Sequence, residues 1–233
     1  MMHEFDFDAV FASLDRFAQG ALLTVELSAG AIVLGLAIGV VGAFLKSSGA
    51  AWVRALVSAY VEIIRNTPFL VQLYLIYFGL PSAGLKVGAN EAALIAMTVN
   101  LGAYATEILR AGVEAIPKTQ IEAGTALGLS RLQIFRYVIL VPALETVYPA
   151  LTSQFTLIML ASSVVGTISA NELSSMASLV DSETFRSFET YLIVTPIYIA
   201  LAFLFRGTFA LVAALVFRRR RRLDGFLGFG GAR

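Results

Sequence analysis

Asn100, Tyr104 and Glu107 interrupt an apolar run at positions i, i+4 and i+7, so a helix would carry all three on one face. Arg110 follows Glu107 by three residues and can neutralise its carboxylate. A second polar group stands in EIIRNTPFLVQLYLIYFG, residues 62–79, where Glu62, Arg65, Asn66, Thr67 and Gln72 precede or enter an oily stretch. A third comprises Ser153, Gln154, Ser162 and Ser163, with Glu145 nearer the start of the same run. Such groups offer hydrogen bonds and compensating charge to a polar molecule. They do not compose a reaction centre: no nucleophile–base pair or metal-ligand cluster is visible, and the sole histidine, His3, stands in the N-terminal tail. The absence of cysteine excludes thiolate chemistry and disulfides. A phosphate-cradling loop needs G-x-x-x-x-G-K-[ST], and its nearest lookalike, Gly42 to Ser47, has Leu45 where the second glycine must stand. No cofactor is expected on this chain, and any chemical energy must come from a partner.

The elements that hold these residues are set by composition. The chain is 58% hydrophobic and only 14% charged over 233 residues. Soluble domains carry about 25% charged residues, so this composition belongs to a bilayer. The net charge of +1 exerts no pull toward nucleic acid. Apolar runs long enough to span occupy about 20–45, 53–80 with an interruption, 90–114, 134–161 and 190–215. Five spans place the termini on opposite sides. With the C-terminus inside, the inner segments hold twelve Lys and Arg and the outer segments three, which sets the N-terminus outside. Residues 1–19 read as an amphipathic segment on the outer interface, 20–217 as the membrane domain, and 218–233 as a basic cytoplasmic tail. No cleavable leader is expected, because the first apolar run begins only near Gly20 and is too long for one. Ala31, Gly35, Gly39 and Ala43 form a small-residue stripe along the first span, suited to close helix packing. Arg206 interrupts the last span and either snorkels to the inner interface or marks a tilt.

Thr67 followed by Pro68 reads as a new helix start, a hydroxyl cap and then proline where its missing N–H costs nothing. The second span is therefore two half-helices with a break at Arg65 to Thr67. Pro68 to Leu80 covers about 20 Å, which puts Arg65 in the inner third of the hydrocarbon layer. Glu62 and Arg65 can pair across one turn. Two readings stay open: a break that aims a helix N-terminus at an anionic group, or a proline kink with a self-satisfied ion pair.

The stretch IPKTQIEAGTALGLSRLQIFRYVILVPAL, residues 116–144, builds an elbow. Thr119 with Glu122 fits one capping box, Gly128 is a helix stop, and Ser130 with Gln133 fits a second box. A simple reversal needs about four residues, whereas this one spends about fifteen on a capped, stiff turn. The pattern E-A-G, three residues, Gly, and then V-I-L resembles the EAA loop of ABC importer permeases. NLGAYATEILRAGVEAIPKTQIEAG and EIIRNTPFLVQLYLIYFGLP resemble the polar amino acid subfamily of the same permeases, and the likeness runs over roughly residues 15–215. Gly124 replaces the second alanine of the pattern, and Pro142 follows Val141 one place later than the usual proline.

The resemblance implies an all-α membrane protein with the type I ABC importer permease fold, multi-pass in the bacterial inner membrane. It implies a non-catalytic subunit that pairs with a second permease, receives a polar or charged amino acid from an extracytoplasmic binding protein, and is driven by an ATPase dimer that uses ATP and Mg. Glu122, Ala123, Gly124, Leu127 and Gly128 would carry the contact with that ATPase. Arg65, Asn66, Thr67, Gln72, Asn100, Glu107, Gln154 and Ser162 would line or gate the path. In the family the fourth span often reads N-E and later K-D-T-S-L; here Ser153–Gln154 and Leu160 to Ser163 stand instead, so a carboxylate and a charged pair are missing. The rival readings are an ion-coupled carrier, which needs inverted halves that are not visible, and a membrane scaffold, which needs no buried polar groups.

Overall fold

The small-residue stripe decides where the rest of the chain packs. The computed structural model describes residues 5–216, which form helices joined by short turns; the basic tail expected from residue 218 lies outside the described residues. The chain opens with a single helical turn, α1 (Asp8–Phe11), followed by α2 (Leu14–Ser48). Along α2 the residues Ala31, Gly35, Gly39 and Ala43 are all buried, and they seat this helix on α5 (Ala89–Glu114). A Cβ at Gly39 would stand 2.5 Å from the Ala105 Cβ, so only glycine allows this approach. The pair α2–α5 is the spine of the fold.

Between them the chain makes α3 (Ala51–Arg65) and α4 (Phe69–Ser82), which meet at 108°. The interrupted span is thus observed. After α5 comes the elbow, with α6 (Lys118–Ala126), a turn, and α7 (Arg131–Gln133). A π-helical segment, Ile134–Ile139, then runs straight into α8 (Leu140–Ala161). Pro142 follows this segment within three residues, and a proline that removes an amide donor is a recognised cause of such a shift in register. A 3₁₀ segment, Ser162–Ile168, prolongs the same span, which is therefore longer at both ends than the apolar run suggests. α9 (Leu173–Thr184) and the last span, α10 (Ser187–Val216), complete the chain. Among the described residues four helices are long and apolar enough to cross a membrane, and the count is five if the bent pair α3–α4 is one span.

The N-terminal segment departs from expectation. It is not one helix: α1 ends at Phe11, and Val10 and Phe17 are fully buried in the cluster that contains Leu173, Ala177 and Val180 of α9. Two of its apolar side chains thus find a protein partner from the far end of the chain, while Phe5, Phe11 and Leu14 stay exposed. An ion pair between Arg16 and Glu183 at 2.5 Å closes the same contact from outside.

Candidate functional site

The break between α3 and α4 is organised by one side chain. Gln72, 5% exposed, turns its amide nitrogen back across the bend, where it donates to the carbonyls of Ile64 at 2.7 Å and Thr67 at 3.0 Å. Its amide oxygen accepts from Asn100 Nδ2 at 2.9 Å, which ties the bend to the middle of α5. A helix break frees carbonyls that lipid cannot satisfy, so a buried amide with donors and an acceptor is a fitting plug. Thr67 does not cap α4 as expected. Pro68 occupies the cap position, and the Thr67 hydroxyl donates backward to Ile63 O at 2.9 Å, closing the end of α3 instead. Proline at that place has no N–H in need of a partner, and this leaves the hydroxyl free to serve the other helix.

The expected pairing of Glu62 with Arg65 is also replaced. Asn66 donates to the Glu62 carboxylate at 3.1 Å and to its carbonyl at 2.8 Å. The Arg65 guanidinium lies over the Tyr104 ring, 5.5 Å from its centroid. Both charged residues are exposed on the protomer surface, one helical turn apart. Arg65, Asn66, Thr67, Gln72, Asn100 and Tyr104 therefore form one constellation at the bend.

The remaining candidates stand apart from it. Glu107 bridges Arg110, at 2.6 Å, and Lys46 at the end of α2, at 3.2 Å, and so clamps the inner ends of α2 and α5. The Arg110 partnership follows from spacing, whereas Lys46 is 61 positions away in sequence and leaves no local signal. Ser162 is buried and donates to Met159 O in its own helix at 2.7 Å. Gln154 is half-buried on α8. Its neighbour Ser153 lines a cavity of about 520 Å³ with Thr152, Thr156, Tyr148 and Arg206. Arg206 lies about 28 Å along α10 from Ser187, near the inner boundary of a hydrocarbon layer about 30 Å thick.

The elbow is built as a stiff projection. α6 starts after Pro117, with Thr119 inside the helix and no side-chain cap, so the first expected capping box is absent. Its far end is closed by Gly128 at φ +75°, with Gly128 N–H bonded to Thr125 O at 2.9 Å and Leu129 N–H to Gly124 O at 3.2 Å. That paired pattern is the Schellman closure, which favours a left-handed glycine. Ser130 and Gln133 form the second capping box as expected, at 3.3 and 2.8 Å. Glu122, Ala123, Leu127 and Gly128 are exposed, and Leu127 is 79% accessible. Gly124 is different: it is buried, and a Cβ there would stand 3.3 Å from Ile134 Cγ1. Its place is the seam between α6 and the next span, where a Cβ would fit only if the Ile134 side chain gave way slightly.

A buried acid that sequence reasoning passed over pins the opposite end. Glu172 is fully buried, caps α9 by accepting from Ser175 N–H at 2.8 Å, and accepts from the hydroxyls of Tyr198 at 2.8 Å and Thr24 at 3.3 Å. Burial pushes its carboxyl above the ordinary range, against the pull of these hydrogen bonds.

A broken span tied to its neighbour and a rigid elbow on the basic face are the parts of a transport subunit, and comparison with known proteins gives the same answer. The family model described as "binding-protein-dependent transport system inner membrane component" matches residues 31–227. The chain belongs to that family. The permease is 34% identical to the probable glutamine ABC transporter permease protein GlnM of Bacillus subtilis (strain 168), over 84% of this chain and 88% of that one. It is 33% identical to the glutamine transport system permease protein GlnP of Escherichia coli (strain K12), over 94% and 97% respectively. Among solved structures, an amino acid ABC transporter crystallised with histidines superposes with a TM-score of 0.80 at 34% identity, covering 94% of this chain and all of that one. The MetNI methionine ABC transporter, at 24% identity and a TM-score of 0.65 over 89% and 95%, shares the fold. The permease is thus an inner-membrane, multi-pass translocation subunit of an ABC importer, a type of subunit that works with an ATPase and a binding protein.

Proposed function

We propose that the permease forms half of the path for a polar, zwitterionic amino acid of the glutamine class. The relatives named for glutamine support the substrate class. The observation that carries the mechanism is the pairing of the 108° bend with the Gln72–Asn100 latch. A zwitterion crossing lipid needs its ammonium and carboxylate compensated, and Glu62 and Arg65 offer opposite charges one turn apart at that bend. The path is completed by a second permease, the same chain or a sister.

The exposed tip of the elbow, Glu122, Ala123, Leu127 and Gly128, seats in a partner ATPase, with Gly124 holding α6 against the span behind it. A dimer of such ATPases binds and hydrolyses ATP with Mg, and this chain contributes no catalytic group. Closure of the dimer moves α6, the stiff joint passes the motion to α8, and the broken span swings to change which side the path faces. Reconstitution with its ATPase and binding protein tests the reading. L-glutamine should stimulate ATP hydrolysis and accumulate in vesicles, and Arg65→Ala should abolish uptake. Uptake that survives ATP depletion but collapses with the proton gradient would replace the reading with an ion-coupled carrier.

A further inference from the structure

On the face assigned by charge to the cytoplasm, a cavity of about 470 Å³ opens between the α2–α3 turn and the root of the elbow. Arg54 and Arg131 line it together with the hydroxyl-bearing Ser47, Ser48 and Thr125, and none of its lining residues is acidic. Two guanidinium groups share one concavity with no carboxylate between them. Arg54 is held by donation from Nη1 to Gly49 O at 2.9 Å, a bond that fixes its position, and no carboxylate among the described residues is paired with it. Neighbouring basic residues show the contrast: Lys46 and Arg110 are both taken up by Glu107. Val113, Ile121, Ile134 and Ile139 supply the apolar part of its lining.

The cavity also has a defined depth. It lies where α2 ends at Ser48 and α3 begins at Ala51, the turn between two membrane elements. Trp52, in the first turn of α3, is 69% exposed, and an exposed tryptophan at a span end marks the headgroup level. Paired arginines and hydroxyls at that level match the phosphate of an inner-leaflet lipid, because a guanidinium fork fits phosphate oxygens and basic recesses between spans on the cytoplasmic side bind anionic headgroups. We infer that this cavity seats the headgroup of an anionic phospholipid, with Arg54 and Arg131 on the phosphate. The lipid braces the elbow against the α2–α3 turn.

The test uses the full-length permease alone in mild detergent, titrated with short-chain phosphatidylglycerol, phosphatidylcholine or inorganic phosphate, with bound lipid counted by native mass spectrometry. Phosphatidylglycerol should bind well above phosphatidylcholine, and the double variant Arg54→Gln, Arg131→Gln should weaken it by about twenty-five-fold, two basic contacts at about five-fold each. A control pair outside the cavity, Lys118→Gln with Arg136→Gln, removes the same charge and should shift binding less than two-fold. The pair Arg54→Lys, Arg131→Lys keeps the charge without the fork, so it should bind between the wild type and the glutamine pair, which separates lost charge from a misfolded chain. Equal losses in the control pair, no loss in the cavity pair, or displacement of the lipid by millimolar phosphate would each overturn the assignment. Binding by the isolated permease needs neither ATPase nor substrate, so this result and the transport result can fail separately.

Discussion

Gln72→Leu removes the plug of the broken span while nearly preserving its volume. Four hydrogen bonds go with it: two to freed carbonyls of the bend, one to the Thr67 hydroxyl and one from Asn100. Interhelical hydrogen bonds in membranes average about 0.6 kcal/mol and reach about 1.7, so the loss sums to about 2–4 kcal/mol. At about 2–4 °C per kcal/mol for a chain of this size, the melting midpoint should fall by roughly 5–15 °C. The assay is a double-mutant cycle with Asn100→Leu, read by thermal unfolding of the purified permease. The pair should couple by about 0.6–1.7 kcal/mol, because once one partner is gone the other has nothing more to lose. Since the chain has no cysteine, labels at Ser58→Cys and Ser82→Cys report the α3–α4 distance without background. That distribution should broaden in Gln72→Leu. Additive effects within about 0.3 kcal/mol, together with an unchanged distance, would refute the claim that this amide holds the bend.

Gly39→Ala places a methyl group against the Ala105 backbone and should destabilise by about 1–3 kcal/mol, seen as a lower melting midpoint. Leu127→Ala touches an exposed tip, so it should leave the midpoint unchanged yet reduce the yield of copurified ATPase by roughly ten-fold, about 1.4 kcal/mol. Gly128→Ala meets no neighbouring atom, only the strain of φ +75°; it should cost about 1–2 kcal/mol and lower substrate-stimulated ATP hydrolysis more than assembly. Glu172 predicts a pH effect. Its folded carboxyl titrates above the ordinary value of 4.5, so the native state holds the proton more tightly than the unfolded chain. Stability from this group is complete below the unfolded value and is lost as pH rises through the folded one. Unfolding midpoints should therefore fall over that interval, and Glu172→Gln, whose amide can serve the same hydroxyls uncharged, should flatten the profile.

Elements governed by period and composition were legible in the sequence. The membrane class, the interrupted second span, the small-residue seam and the glycine stop at Gly128 all follow from local chemistry. What escaped was set by distant partners. Thr67 looked like a cap for the helix after it, yet the better acceptors were carbonyls of the helix before it. Glu62 and Arg65 had the right spacing to pair, but Asn66 takes the carboxylate and the Tyr104 ring takes the guanidinium. Lys46 gave no hint of Glu107. Glu172 drew no reading from the sequence, because its partners Thr24 and Tyr198 come from the first and last spans.

The third long helix is the least suited to lipid and the most enclosed: mean hydropathy over its best window is 1.4 in α5, against 2.3 in α2 and 2.2 in α10. Burial runs the other way, 67% for α5 and 11% for α10. During synthesis a helix must partition into the bilayer before the whole fold exists to receive it. α2, which can enter lipid unaided, is made first and waits with its glycine seam exposed. α5 then emerges beside a ready-made partner, and its polar face need never meet hydrocarbon. The order of helices along the chain therefore also suits an order of insertion, in which the costliest passenger boards only after its partner is in place.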